Sequence, residues 1–184
     1  MRCFGDGDPL YEAYHDEEWG RPVRDERGLY ERLCLEGFQA GLSWITILRK
    51  RPRFREVFAG FDPDVVAGYG ERDVERLMGD AGIIRSRPKI EAAIGNARAT
   101  LALRETDTPL ERLVWSFAPP PRERRAASLS ELPAQTDESR ALATALRSAG
   151  FKFLGPTTCY AAMQACGLVD DHIAGCPVAE AADA

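Results

Sequence analysis

The 184-residue chain has no run of 18 or more apolar residues, and it begins MRCFGDGDP, not with a basic stretch leading into an apolar one. The first absence argues against a membrane-spanning helix and the second against a secretory signal. Histidine is nearly missing, with His15 and His172 the only two. A basic excess is missing as well, the formal net charge being -5. Lys and Arg dominate phosphate binding, so any nucleic-acid contact must come from a local basic surface. No stretch alternates β-branched with polar residues, so a sheet is hard to build and the chain reads as all-α. There is no internal repeat. What is present is ordinary for a folded domain: 45% apolar and 29% charged residues. The length suits a single domain over 1–184, at most two small helical lobes, with a real core. Five cysteines without an export signal are expected to be reduced in a cytoplasmic setting, as core, metal or catalytic groups.

Stop and start signals divide the chain into helices. Asp25 opens DERGLYERLCLEGF, with Leu29, Leu33 and Leu35 at helical spacing, and the helix is expected to end near Gly41. Ser43 is a good N-cap for the next helix. Arg51-Pro52 reads as the opening of RPRFREVFAG, closed by Gly60, and Asp62-Pro63 repeats the device. ERDVERLMGDAG carries Val74, Leu77 and Met78 on one face, and PKIEAAIGNARATLAL is the longest helical stretch. DESRALATALRSAG and GPTTCYAAMQACG follow, each closed by glycine. Residues 118 to 136, proline-rich and basic, are expected as an exposed loop. The tail from 177 to 184 is expected to be disordered.

Both histidines have a cysteine within reach near a chain end: Cys3 with His15, and His172 with Cys176. Thiolate and imidazole are the ligands zinc prefers, and four of them make a closed structural site. C-x11-H is not a common knuckle, however, and the spacing alone favours surface histidines and a frayed terminal cysteine. Cys34, Cys159 and Cys166 sit on apolar helix faces, where buried thiols belong.

Residues 148 to 167, SAGFKFLGPTTCYAAMQACG, put a short apolar turn between two helices, with Gly150 and Gly155 at its ends. Free N–H groups at Gly155, Thr157 and Thr158 could take a phosphate, with Lys152 adding a cation. A plain helical corner explains the same residues equally well. Arg85, Arg87 and Lys89 flank a second turn and could extend a DNA face, although charged turn residues are more often simply solvated.

In DPLYEAYHDEEWG, Tyr11, Tyr14, His15 and Glu18 share a helical face, with Trp19 near its end. Such rings ordinarily pack in a core. LCLEGFQAGLSWITIL adds a lone carboxylate, Glu36, near a helix C-terminus among Leu33, Leu35 and Phe38. There the helix dipole opposes it and its neighbours desolvate it, which marks a functional group. A solvent-facing helix residue is the equal alternative. Trp44 emerges just across the glycine turn from Glu36. One acid with stacking aromatics is enough to hold a flat nitrogenous ring.

Four segments in order, CFGDGDPLYEAYHDEEWGRP, LCLEGFQAGLSWITILRKR, DAGIIRSRPKIEAAIGNARA and GFKFLGPTTCYAAMQACGLVDDH, resemble the bacterial DNA-3-methyladenine glycosylase I family, from about Cys3 to Cys176. The resemblance implies a helix-hairpin-helix DNA glycosylase fold with one structural zinc stapling the termini through Cys3, His15, His172 and Cys176. It implies a base pocket with Glu36 as the catalytic or recognition carboxylate and Tyr14 and Trp44 stacking, with Tyr11 and Trp19 as walls. Gln39 and Leu42 match positions that face the lesion. The implied activity is base excision repair: monofunctional hydrolysis of the N-glycosidic bond of N3-methyladenine in alkylated double-stranded DNA, by a cytoplasmic monomer.

Helix-hairpin-helix glycosylases carry an aspartate shortly after the second helix, whereas this family has asparagine there. Here the segment is Val169-Asp170-Asp171-His172. Asp170 stands either where the superfamily keeps a catalytic acid or, as the preferred reading, as a solvated replacement beside the metal site. A DNA-binding module without turnover is the second function class, opposed by the presence of Glu36, Tyr14 and Trp44. A zinc deaminase would need an open metal position and an H-x-E…P-C-x-x-C pattern, neither of which is seen.

Overall fold

Capping residues and apolar faces build the helices one at a time. The computed structural model describes residues 1–179, and among these no strand is present. Asp8 accepts from the backbone N–H groups of Leu10 and Tyr11, with Pro9 in the first turn, and so starts α1, Pro9–Glu17. Asp25 caps α2, Glu26–Gln39, accepting from the Gly28 N–H at 2.7 Å. Every residue of α2 from Leu29 to Phe38 is buried, charged ones included. A helix buried all round is the centre of a core, and α2 packs on α3 (Trp44–Val57), α6 (Arg87–Arg104), α7 (Leu110–Trp115) and α9 (Pro156–Ala165).

Two short helices, α4 (Pro63–Val66) and α5 (Glu71–Met78), lie on α6, and α8 (Asp137–Ser148) pairs with α9. Phe38, Phe54, Phe58 and Phe61 stack in sequence between α2, α3 and the turn that follows, with centroids 4.6 to 6.1 Å apart. Tyr30 closes this cluster on Phe61 and donates its hydroxyl to the Ala93 carbonyl at 2.9 Å. Where α9 ends, Gly167 (φ +71°) brings the chain against residues 20–22, and a Cβ there would lie 2.7 Å from their backbone. Only glycine allows that approach.

The start expected at Arg51-Pro52 is corrected: α3 runs unbroken from Trp44 to Val57 with Pro52 inside it. An interior proline costs about 3 kcal/mol. Burial of Ile47, Leu48, Phe54 and Val57 opposes that cost, as do ion pairs from Arg51 to Glu18 and Glu31. The 118–136 stretch is a largely exposed loop with one 3-10 turn, Leu129–Glu131. Its arginines tie it down: Arg122 reaches the Tyr160 hydroxyl and Asp171, and Arg125 reaches Asp170. Of the tail, residues 177–179 begin a helical turn with Ala179 buried, and 180–184 lie outside the described residues. No described helix is long and apolar enough to cross a membrane.

Candidate functional site

Glu36 occupies the last full turn of α2, between the buried residues Leu35 and Phe38. It is 5% exposed, and no hydrogen bond reaches its carboxyl from the described residues. Burial pushes it from its ordinary 4.5 to about 8, a rise that Arg32, one turn earlier on α2, opposes. Tyr14, buried on α1, faces it: burial first, then the charge of Glu36, holds the phenol far above its ordinary range. The same two causes raise half-buried Tyr11. Tyr14 meets Trp44, the first residue of α3, at 5.4 Å between ring centroids and an angle of 46°. The indole Nε1 of Trp44 is buried and has no hydrogen-bond partner among the described residues. Glu36, Tyr11, Tyr14 and Trp44 thus come from three helices to one place. Unpaired buried donors and acceptors cost free energy unless a ligand supplies the partner.

The rim of this place is the turn between α2 and α3. Gly41 takes φ +84°, Leu42 is 41% exposed and Gln39 is half-buried. Lys89 holds the turn from α6, its Nζ donating to the carbonyls of Phe38 (3.0 Å) and Ala40 (2.7 Å). Of the cations that could extend a DNA face, Lys89 caps α2 and Arg87 pairs with Glu71 and Glu91. Arg85 is exposed. Beside Gly37 of α2, Asn96 on α6 clamps the α8–α9 turn, donating to the Lys152 carbonyl (3.2 Å) and accepting from its N–H (2.8 Å). This fixes Phe153 at φ +59°, a strained region for a side-chain-bearing residue, with its ring 45% exposed beside exposed Lys152. Gly155 precedes α9, and Thr157 and Thr158 lie in its first turn, where backbone N–H groups have no preceding carbonyl.

The second buried polar centre joins the chain ends. Cys3, His15, His172 and Cys176 are all buried, with ligand atoms within 4.8 Å of one another. Cys3 Sγ lies 3.6 Å from His172 Nδ1, and Cys176 Sγ lies 3.6 Å from both His172 Nδ1 and His15 Nε2. The other ring nitrogens are held from outside: His15 Nδ1 is 2.7 Å from Asp16, and His172 Nε2 is 3.3 Å from the Trp19 carbonyl. Such outer contacts set the tautomer of a metal-binding imidazole. Burial pushes the Cys3 thiol up to about 11 and depresses His172. Trp19, expected as a pocket wall, packs its ring on His172 (4.7 Å), Phe4 (5.0 Å) and His15 (6.0 Å), over the Cys/His set.

Asp170 is half-exposed, pairs with Arg125 at 2.8 Å and accepts the His172 N–H at 3.1 Å. Its neighbour is the buried member of the pair. Asp171 is 3% exposed and accepts from Tyr160 Oη (2.6 Å) and Gln164 Nε2 (2.8 Å), with Arg122 Nε at 3.0 Å. Nothing local in VDDH distinguishes the two aspartates. The position of Arg32, four residues before Glu36, is readable from the sequence as that of a helical neighbour.

Known proteins resemble this chain in sequence and fold. The family model for methyladenine glycosylase matches residues 4–180. DNA-3-methyladenine glycosylase 1 of Escherichia coli K12 is 56% identical over 170 residues, covering 92% of this chain and 91% of that protein. A crystal structure of 3-methyladenine DNA glycosylase I matches with a TM-score of 0.93 at 54% identity, over 96% of this chain and 98% of the other. The 3-methyladenine DNA glycosylase I of Staphylococcus aureus, solved for its recognition of 3-methyladenine, matches at 0.90 and 36% identity, covering 96% and 94%. The chain belongs to the methyladenine glycosylase family.

Proposed function

We propose that the chain is one glycosylase domain of the helix-hairpin-helix type that releases N3-methyladenine from alkylated double-stranded DNA, acting as a cytoplasmic monomer. The observation that carries the reading is Glu36: a buried carboxyl without a protein partner, faced by Tyr14 and Tyr11, with Trp44 against Tyr14. A base in duplex DNA must leave the stack to be reached, and an alkylated, weakened pair is the easiest to open. Methylation at N3 makes the purine cationic and a good leaving group, so binding and charge stabilisation in a dry site supply most of what is needed. Glu36 accepts from the exocyclic amino group and ring edge, and the aromatic rings stack on the base. Water is the nucleophile, with no covalent lysine intermediate. Gln39 and Leu42 meet the DNA at the lesion, while Lys152 and the first N–H groups of α9 hold phosphate.

The Cys/His set fits one structural zinc. Zn–S bonds of about 2.3 Å and Zn–N bonds of about 2.0–2.1 Å make tetrahedral S···N edges of roughly 3.6 Å, the separation found between the cysteine sulfurs and histidine nitrogens. Four protein ligands leave no open position for catalysis. All five cysteines are free of disulfides, in keeping with a reducing compartment.

The test is chromatographic identification of the bases released from methylated duplex DNA. Free 3-methyladenine from the wild type is the expected product, with release cut by about 10²-fold or more in Glu36→Gln. Wild-type release by Glu36→Gln would remove Glu36 from the reaction.

A further inference from the structure

Beneath the pocket lies an ion network in which one member is underused. Glu18 accepts from Arg32 (2.8 Å) and through both oxygens from Arg51 (3.0 and 2.8 Å). Glu31 accepts from Arg51 (2.7 Å) and Arg55 (2.9 Å). Three guanidiniums thus share two carboxylates, and one positive charge is left over. Arg51 is fully engaged between its two acids and Arg55 is half-exposed to solvent. Arg32 is the weakly paired one. It is 8% exposed, makes a single hydrogen bond, and keeps a buried Nε with no partner among the described residues. It sits one helical turn before Glu36, the one buried carboxyl nearby that lacks a partner, and these two positions share a helix face. Ionised Glu36 would balance the network.

Binding a cationic base favours the carboxylate, yet burial favours the acid, so some of the binding free energy must go into removing the proton. A cation already fixed nearby reduces that share. It also repels the incoming base, and Glu18 moderates this by holding Arg32 back. We propose that Arg32 is a positioning residue for the reaction, its guanidinium set between Glu18 and Glu36 so that Glu36 ionises within the working pH range. The other groups facing Glu36 are Tyr11 and Tyr14 from α1 and Cys166 at the end of α9, all raised by burial and by Glu36 and therefore neutral there. Lys89 is committed to the α2 carbonyls. Arg32 also acts on Glu36 in the direction required.

The proposal rests on the reading of Glu36 as the group that holds the base, and the experiment separates the two. Single-turnover release of 3-methyladenine from methylated duplex DNA is followed from acid to alkaline pH in wild type, Arg32→Met, Arg32→Lys, Glu18→Gln and Glu36→Gln. The wild-type rate falls on the acid side as Glu36 takes up its proton. Arg32→Met moves that limb up by about one pH unit or more, Arg32→Lys restores it, and Glu18→Gln, which frees Arg32 for Glu36, moves it down. General damage to the fold would slow all variants without opposite displacements of the limb. If Glu36→Gln abolishes the limb while Arg32→Met and Glu18→Gln leave it in place, Arg32 has no such role and the reading of Glu36 stands. If Glu36→Gln keeps both rate and limb, the underlying reading is lost as well. Should Arg32→Met fail to fold, Glu18→Gln decides alone: a downward shift supports the proposal and a stationary limb overturns it.

Discussion

Two buried polar centres lie side by side in this molecule, and they are finished to different degrees. In the Cys/His set every side chain meets another, and both imidazoles are held from outside by Asp16 and the Trp19 carbonyl. In the pocket, Glu36 is a buried residue whose carboxyl receives no hydrogen bond from the described residues, and the Trp44 N–H is buried with no partner among them. Aromatic contacts run between the centres, from His172 through Trp19 and Phe4 to Tyr14 and Trp44. Burial is therefore common to both, and satisfaction separates them. A completed polar set stabilises the fold, whereas an incomplete one costs stability and is kept for what it will bind.

Breaking the completed centre should have the largest effect. Cys176→Ser, or removal of metal by a strong chelator, should release about one zinc per chain and cost on the order of 5 kcal/mol or more, since metal binding at such sites is folding free energy. Elemental analysis and thermal melts check this. A purified protein with no metal and an unchanged Tm after chelation would put both centres in one class.

Breaking the incomplete centre should do the opposite to stability. The folded chain holds the Glu36 proton more tightly than the unfolded chain does, with a value near 8 against an ordinary 4.5. The resulting stabilisation is complete below the lower value and is lost as pH rises through the upper one. Glu36→Gln removes that titration. It should be more stable than wild type by a few kcal/mol at alkaline pH, and this advantage should shrink towards pH 5. Urea melts across that range would detect it, and a pH-independent difference would mean that Glu36 is satisfied after all.

Asp171 should act on the structural side, at smaller cost. It accepts from Tyr160 and Gln164 and faces Arg122, so it ties α9 to the 118–136 loop just before His172 of the Cys/His set. Asp171→Asn should cost about 1–3 kcal/mol and leave kcat for base release near wild type. A loss of kcat at full stability would move Asp171 into the pocket's class.

How much of this was legible beforehand depended on the range of the interactions. Helices capped by Asp or closed by glycine, such as α2, α8 and α9, were readable because their signals are local, and α6 was readable from its length and apolar spacing. Pro52 misled for the same reason: its local meaning is a helix start, and ion pairs to Glu18 and Glu31 outside α3 overruled it. Short α7 carries a similar start in Thr108-Pro109 with Glu111 in the first turn, but is too brief for its apolar spacing to stand out. Glu36 stood out as a charge in an apolar stretch. The metal set could not be derived from spacing, because its halves lie at opposite chain ends and only the family resemblance joined them. Asp171 required knowledge of which aspartate turns inward, and that is decided by Tyr160 and Gln164 on α9.

The smallest effect sharpens the comparison by adding a surface that belongs to neither centre. Lys152 is exposed on the clamped turn beside the start of α9, where its charge can meet phosphate but no base edge. Lys152→Ala should weaken binding of damaged and undamaged duplex alike, by about tenfold or less at physiological salt, and reduce the slope of log K against log salt by about one. Trp44→Ala, by contrast, should spare undamaged DNA and weaken only duplex that presents the lesion, because stacking on an extruded base is worth about 1–3 kcal/mol. Fluorescence anisotropy on the two duplexes at several salt concentrations separates the cases. If Lys152→Ala were selective for the lesion, the turn would be reading the extruded base as well as the backbone, and the division of labour between pocket and hairpin would have to be redrawn.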